Sequence, residues 1–269
     1  MADIRIGVST ASVWPQTATS AFELAAELGY DGVEVMVWAD PISQDPAALR
    51  RRSRQFGVPV LAVHAPCLLI TQRVWSPRPE ERLRRSVQAA QDLGAETVVI
   101  HPPFRWQRKY AEGFADLVWQ LEESSGVAIA VENMFPVRRF GGAMEMSAFD
   151  PSIDPTDVGY RNYTLDLSHT AAAREDARAL RSRMGHGLRH LHLADGTGLP
   201  RDEHLVPGRG AQPCARVCER LVDSGFRGTV VVEVSTRRCR TRAERADALH
   251  EALLFARLHL QPTAAGPAR

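Results

Sequence analysis

The segment RHLHLADGTGLPRDEHLVPGRG, residues 189–210, contains the features that decide the fold and point to a function. It opens as a short apolar strand interrupted by His190 and His192, and an Asp-Gly pair then ends the strand. The polar loop that follows carries Asp202 and His204 into a Pro-Gly-x-Gly turn. Such a turn lets the backbone fold back, so we expect the loop side chains to face the end of the strand. Imidazole and carboxylate groups together are typical ligands of a divalent metal.

The bulk composition is that of an ordinary globular protein, with 44% hydrophobic and 24% charged residues in a chain of 269. Lys and Arg number 33 against 32 Asp and Glu, so no global field draws the chain to nucleic acid or membrane. No apolar run approaches the roughly 18 residues of a membrane span, and the N-terminus lacks a signal-peptide pattern. Four scattered cysteines are too few for a disulfide framework. We therefore expect a cytoplasmic protein without a membrane partner.

Strand-like and helix-like segments alternate along the chain without a linker. Eight apolar strands, each followed by a helix-length segment, predict an α/β fold, a single (β/α)8 TIM barrel with its active site at the C-terminal ends of the strands. The barrel is expected to span residues 1–262, with a flexible tail at 263–269. One helix is predicted over residues 171–184 and one long loop over residues 134–160. An open doubly wound sheet is the alternative, but no glycine-rich phosphate fingerprint follows the first strand.

A layer of polar residues lies where the third to eighth predicted strands end. Buried charges are costly unless they are paired or bound to a metal, so six such positions in succession indicate a functional site. Mixed imidazole and carboxylate ligands suit Zn²⁺, Mn²⁺ or Co²⁺. Four consecutive strand ends, Glu132, Asp166, His192 and Glu233, could enclose one ion. The other polar residues of the layer and its loops are His64, His101, His169, Asp202 and His204.

Seven short motifs, spread in order over nearly the whole chain, resemble the xylose isomerase-like TIM-barrel superfamily, which includes sugar isomerases and epimerases and the endonuclease IV-like proteins. The motifs are VHAP (63–66), HPP (101–103), VEN (131–133), LDLSH (165–169), HLAD (192–195), DEHLVPGRG (202–210) and VVEVS (231–235).

The resemblance implies two different metal sites. In the endonuclease, three zinc ions are held by nine residues, and this chain can supply all of them from the strand-end and loop residues named above. In the epimerase-like members, one Mn²⁺, Co²⁺ or Zn²⁺ is held by the residues matching Glu132, Asp166, His192 and Glu233. There the two glutamates also shuttle protons, and the residue matching His169 helps to hold the substrate. The other positions then act as further ligands or supports, and no organic cofactor is expected.

The chain departs from the endonuclease pattern at two places. Glu203 stands where the endonuclease carries an arginine near the DNA, and the stretch 134–140 replaces a small, glycine-containing segment. The sequence therefore predicts a metal-dependent isomerase or epimerase that acts by proton transfer, through an enediolate, on a sugar, keto-sugar or polyol-derived molecule. An apurinic endonuclease with up to three zinc ions, and DNA as partner, is the alternative. A sugar-binding barrel without turnover is a second alternative.

Aromatic and basic residues in the loops after the strands are candidates for substrate binding. Trp14, Trp38 and Trp106 could form apolar walls against the C–H face of a sugar, or could simply pack the loops. Arg237 and Arg238 follow the eighth strand, where many barrels bind phosphate. These residues leave open whether the substrate is phosphorylated, and a homo-oligomer is equally compatible with the sequence.

Overall fold

The computed structural model describes residues 4–139 and 144–261, and eight parallel strands close into a barrel. In chain order the strands are β1 (Arg5–Ser9), β2 (Gly32–Met36), β3 (Val60–His64), β4 (Thr97–Ile100), β5 (Ala128–Glu132), the hairpin strands β6 (Val137–Arg139) and β7 (Met144–Met146), β8 (Asn162–Asp166), β9 (Leu188–Leu193) and β10 (Thr229–Val232). The barrel order is β1-β10-β9-β8-β5-β4-β3-β2, which confirms the predicted (β/α)8 fold. Residues 263–269, predicted as a tail, lie outside the described residues.

Helices surround the barrel and bury its outer face. They are α1 (Ala18–Leu28), α2 (Pro46–Phe56), α3 (Pro79–Leu93), α4 (Arg108–Ser125), α5 (Leu167–Ala173), α6 (Ala177–Met184), α7 (Cys214–Asp223) and α8 (Arg242–His259). Phe22, Leu83 and Phe114, from α1, α3 and α4, are completely enclosed in the core between helices and strands. Within the described residues no helix combines the length and apolarity that crossing a bilayer requires.

The single helix predicted over residues 171–184 is wrong, because the structure contains two helices there. The first, α5, begins immediately after β8, where Asp166 caps it by accepting a hydrogen bond from the His169 backbone N–H at 2.7 Å. It ends at Arg174, whose φ of 59° is left-handed. Asp176 then caps α6 by accepting from the Arg178 N–H. Two local caps thus override a continuous helical pattern.

The predicted loop over residues 134–160 contains structure of its own. β6 and β7 pair as an antiparallel hairpin, and a short 3-10 turn follows at Pro155–Asp157. Phe104, Met134 and Phe149 form a small apolar cluster that holds this segment against the loop after β4. The segment is therefore a packed wall beside the top of the barrel.

The turn at the end of residues 189–210 folds back as its sequence predicts. The buried Asp195 carboxylate accepts hydrogen bonds from the backbone N–H groups of Gly208, Gly210 and Gln212, each at 2.9 Å. A Cβ on Gly210 would stand 2.3 Å from Asp195 Oδ1, so this close approach requires glycine. The loop is thereby tied to the end of β9.

Candidate metal centre

Four acidic or imidazole side chains converge at the C-terminal end of the barrel. Glu132 ends β5, Asp166 ends β8, His192 lies near the end of β9, and Glu233 follows β10. His192 Nδ1 lies 2.8 Å from Glu132 Oε1, 3.4 Å from Asp166 Oδ2 and 3.0 Å from Glu233 Oε2. All four residues are buried. We call them the strand-end set.

The strand-end set fits a divalent metal. Three carboxylates place formal negative charge in a buried space, which is costly without a cation. Glu132 Oε2 and Asp166 Oδ2 are buried, and imidazole nitrogens lie 3.1–3.4 Å from them. One ligand atom each from Glu132, Asp166 and His192 lies within 4.8 Å of the others. Carboxylate oxygens and an imidazole nitrogen are the donors that Zn²⁺, Mn²⁺ and Co²⁺ accept.

Glu34 orients His192 from below the strand-end set. It lies in β2, is fully enclosed, and places its two oxygens 3.1 and 3.2 Å from His192 Nε2. The pairing between β2 and β3 shifts register between Val33 and Glu34. A carboxylate on the far nitrogen fixes the tautomer and orientation of a metal-binding imidazole. The sequence analysis gave Glu34 no role, although an acid inside the apolar run GVEVM was the available signal.

Two histidines on β9 contact this same glutamate but differ in electrostatics. His190 Nε2 lies 2.9 Å from Glu34 Oε2, and burial lowers the pKa of His190. Burial also opposes the charge on His192, but Glu233, Glu34 and Glu132 outweigh it and raise the pKa of His192 well above its usual value. Of the two β9 histidines, the one with the raised pKa is therefore His192, which faces the carboxylates of the strand-end set.

The loop residues predicted as further ligands form a second group, the loop set, of His169, Asp202 and His204. Asp202 Oδ2 lies 2.7 Å from His204 Nε2 and 3.4 Å from His169 Nε2. Ser168 Oγ donates to Asp202 Oδ1 at 2.6 Å and accepts from the backbone N–H groups of residues 203 and 204. Sequence reasoning did not assign Ser168.

The loop set is joined to the strand-end set through backbone carbonyls. His169 Nδ1 lies 2.8 Å from the carbonyl of Asn133, the residue after Glu132. His204 Nδ1 lies 2.7 Å from the carbonyl of Glu233. In both rings Nδ1 donates to the carbonyl, so Nε2 is directed toward Asp202. The structure thus brings all nine predicted site residues into one region.

His64 and His101 flank Glu132 on its other side, together with Cys67. The His64 and His101 Nε2 atoms lie 3.3 and 3.1 Å from Glu132 Oε2, and the Cys67 sulfur lies 3.9 Å from His64 Nδ1. Burial would raise the pKa of the Cys67 thiol, but the neighbouring His101 and His64 outweigh it and lower the pKa to about 5. Sequence reasoning did not include Cys67 in the site.

The two glutamates of the strand-end set differ in their surroundings. Burial would raise the pKa of Glu132, but His192, His101 and His64 outweigh it and hold that pKa well below its usual value. Burial dominates at Glu233 and raises its pKa, although His192 and His204 oppose the shift. Two carboxylates on one centre with pKa values pushed apart are typical of acid–base pairs.

A cavity of about 240 Å³ lies above these residues. Of the predicted substrate-binding residues, His169, Trp38 and Arg237 line it, and Met36, Leu68 and Val234 add apolar surface. Trp14, Trp106 and Arg238 are not among its lining residues in the described part of the chain.

The remaining aromatic and basic candidates contact other loop residues or solvent. The Arg237 guanidinium lies 4.3 Å from the ring centroid of Trp14, so Trp14 supports Arg237 from the side. The Trp106 ring stacks on Phe104 at 4.5 Å and leaves 56% of its surface exposed. Arg238 is exposed on the loop after β10. Trp14 and Trp106 thus contact other loop residues.

Comparison with known families agrees with this arrangement. The profile of the family described as xylose isomerase-like TIM barrel matches residues 22–258. The chain belongs to this family. An uncharacterized protein of Mycobacterium tuberculosis is 58% identical to it, over 96% of this chain and 98% of that protein.

More distant relatives and solved structures carry names that state an activity. Fructoselysine 3-epimerase of Escherichia coli O157:H7 is 24% identical, over 80% of this chain and 85% of its own. The crystal structure of D-psicose 3-epimerase with D-tagatose from Clostridium cellulolyticum H10 superposes with a TM-score of 0.70 at 19% identity, over 96% and 100% of the two chains. A D-tagatose 3-epimerase-like protein superposes with a TM-score of 0.66 at 23% identity, over 96% and 100%. These structures share the fold.

Proposed function

We propose that this protein is a divalent-metal-dependent isomerase or epimerase of a sugar, keto-sugar or polyol-derived molecule. The observation that carries the proposal is the convergence of Glu132, Asp166 and Glu233 on His192 Nδ1 beneath a small cavity. The epimerase names of its distant relatives support the same reaction class.

The strand-end set would hold the metal, Mn²⁺, Zn²⁺ or Co²⁺. When bound, the ion supplies Lewis-acid polarisation of a substrate carbonyl. Glu34 keeps His192 Nε2 occupied, so that Nδ1 is the nitrogen available to a ligand.

Glu132 and Glu233 would move the proton on the carbon next to the carbonyl. Their strands, β5 and β10, are separated by β8 and β9, so the two carboxylates reach the centre from different sides. One glutamate takes the proton and leaves an enediolate. Return of a proton by the other glutamate to the opposite face inverts the carbon, which is epimerisation.

The cavity suits a small polyhydroxylated substrate. Its volume of about 240 Å³ lies below the ~300–1,000 Å³ of pockets for drug-sized ligands. Trp38 and Met36 would present apolar surface to a C–H face, and His169, which also lines the cavity, would hold a hydroxyl. Arg237 is the lining cation that would meet a phosphate on a phosphorylated substrate.

The test is turnover of a panel of ketohexoses, ketopentoses and their phosphates in D₂O by the Mn²⁺-loaded protein. We expect deuterium on the carbon next to the carbonyl, with incorporation reduced about 10²–10⁴-fold in Glu132→Gln and in Glu233→Gln. Turnover without deuterium, or full activity in both variants, would contradict this mechanism. Sugar binding without turnover would instead favour the non-catalytic barrel.

The gathering of all nine endonuclease-like positions favours a second candidate, an apurinic endonuclease with up to three zinc ions. Against it, the position of the endonuclease arginine is occupied by Glu203, whose carboxylate accepts hydrogen bonds from Thr197 and pairs with Arg201, so this position offers no arginine to a phosphate backbone. Efficient nicking of plasmid DNA containing abasic sites, with three zinc ions per chain, would reverse the ranking of the two candidates.

A further inference from the structure

A cluster of three potential ligands lies beside the strand-end set and includes a residue outside the nine positions. A ring nitrogen each of His64 and His101 and the sulfur of Cys67 lie within 4.8 Å of one another. Cys67 follows His64 by three residues in the sequence His-Ala-Pro-Cys. We propose that these residues form a second metal site, a thiolate site for Zn²⁺ or Co²⁺, separate from the strand-end set.

The orientation of the two imidazole rings distinguishes this site from a metal site that has Glu132 as a ligand. His64 and His101 turn Nε2 toward Glu132 Oε2, whereas His64 directs its other nitrogen, Nδ1, toward the Cys67 sulfur. His101 Nδ1 is buried and makes no hydrogen bond in the described part of the chain. Glu132 thus contacts the Nε2 atom of both imidazoles. Their Nδ1 atoms lie on the opposite side of each ring, where they could bind a metal.

The dimensions match a tetrahedral ion. With Zn–S near 2.3 Å and Zn–N near 2.0–2.1 Å, a sulfur and a nitrogen on one zinc stand about 3.6 Å apart. Cys67 Sγ and His64 Nδ1 lie 3.9 Å apart, about 0.3 Å more than this expected separation. His64 Nδ1 also lies 3.1 Å from the Ala65 carbonyl, a contact that the ion would replace.

Space for a fourth ligand adjoins the cluster. A cavity of about 20 Å³, lined by Cys67, His101 and Tyr110, has room for about one water molecule. The Tyr110 hydroxyl is buried there without a hydrogen-bond partner among the described residues. A water bound to the ion would meet that hydroxyl. Three protein ligands with one water is the composition of an open zinc site.

The experiment is a titration of the metal-free full-length protein with Co²⁺, followed by absorption and by metal content. We expect two ions per chain and a thiolate-to-cobalt charge-transfer band in the near ultraviolet. Cys67→Ser should lose the band and one of the two ions. Cys239→Ser, which removes a cysteine in the loop after β10, should retain both ions and the band.

Three outcomes would overturn the proposal. They are a wild-type protein saturated by one ion without the charge-transfer band, a second ion bound without that band, and a band that survives in Cys67→Ser. A second readout is the rate of Cys67 alkylation by iodoacetamide, which we expect Zn²⁺ to suppress in wild type. Unchanged alkylation at saturating Zn²⁺ would also contradict the site.

Discussion

The strand-end set and the loop set contain the same side-chain types but are held in different ways. Glu132 and His192 are at most 1% exposed and are fixed by the register of hydrogen-bonded strands. Asp202 and His204 are 27% and 21% exposed and are positioned by Ser168 and by backbone carbonyls. His204 also adopts a φ of 45°, which only the surrounding loop can enforce. The barrel therefore sets the first group, and local hydrogen bonds set the second.

This difference indicates a division of tasks. A rigid, enclosed set suits an ion that must be held through every turnover, since small displacements of ligands weaken a metal site. A partly exposed set beside the cavity suits contacts with substrate. Matched substitutions in the two sets test this division of tasks.

The largest effect is expected from the pair Glu132→Gln and Asp202→Asn. Glu132→Gln removes an enclosed charge that faces the ion, so we expect loss of the ion held by the strand-end set and at least about 10²-fold lower activity. Asp202→Asn should keep the metal. Elemental analysis measures the metal content of the two purified variants. Equal metal loss in the two variants would show that the loop set is also a metal site.

Glu34→Gln tests whether the strand-end set depends on support from within the barrel. Loss of a carboxylate behind a metal-binding histidine lowers metal affinity about 10–100-fold. We expect that loss here, measured by competition with a chelator. Glu203→Gln, the same substitution in the loop, is the matched control and should leave affinity nearly unchanged. Wild-type affinity in Glu34→Gln would exclude the positioning role.

Metal affinity should increase with pH. Burial opposes a charge on His192, but Glu233, Glu34 and Glu132 outweigh it and raise the pKa of this ring well above its usual value. Below that pKa the metal-free ring carries a proton, which an ion bound to the strand-end set must displace. Affinity should rise about tenfold per pH unit for each proton released.

Calorimetry in buffers of different ionisation enthalpy counts the protons released on metal binding. His204→Gln should release the same number as wild type if the ion is held by the strand-end set alone. A proton count lower by one would show that the loop set also binds the ion, and the two sets would not have separate tasks.

The smallest effect is expected from Ser168→Ala. This change removes the hydroxyl that joins Asp202 to the backbone of residues 203 and 204. Leaving those partners without a hydrogen bond destabilises the loop by about 1–3 kcal/mol. We expect a several-fold higher KM, faster hydrogen exchange in residues 201–206 and unchanged metal content. Ser182→Ala, on the exposed side of α6, is the control. Metal loss in Ser168→Ala would contradict the separation of the two sets.

The strands and their ends could be predicted from the sequence because a buried parallel strand is an uninterrupted apolar run. His64, Glu132 and Asp166 each stand at the end of such a run, and the structure has them as the last residues of β3, β5 and β8. The break between α5 and α6 could not be predicted. It depends on a left-handed arginine, Arg174, which no local pattern indicates.

The residues that position the site were harder to predict from the sequence than the site residues themselves. Glu34 acts through His192, 158 residues away in sequence, and Cys67 contacts His101 only because β3 and β4 are neighbours. Such contacts arise from closure of the barrel. A single acid in an apolar strand, and a cysteine three residues after a strand-end histidine, were signals whose partners the sequence alone did not identify.

The cap that Asp166 provides to α5 makes its two oxygens unequal. Oδ1 is committed to the His169 backbone N–H, and Oδ2 faces His192, so Asp166 can offer an ion one oxygen without releasing the helix. The same cap ties the backbone of His169 to that carboxylate. The spacing between the ion and this imidazole is therefore set by one turn of helix. An ion of larger radius that displaces Oδ2 would move His169 with it, so metal size would influence which substrates fit.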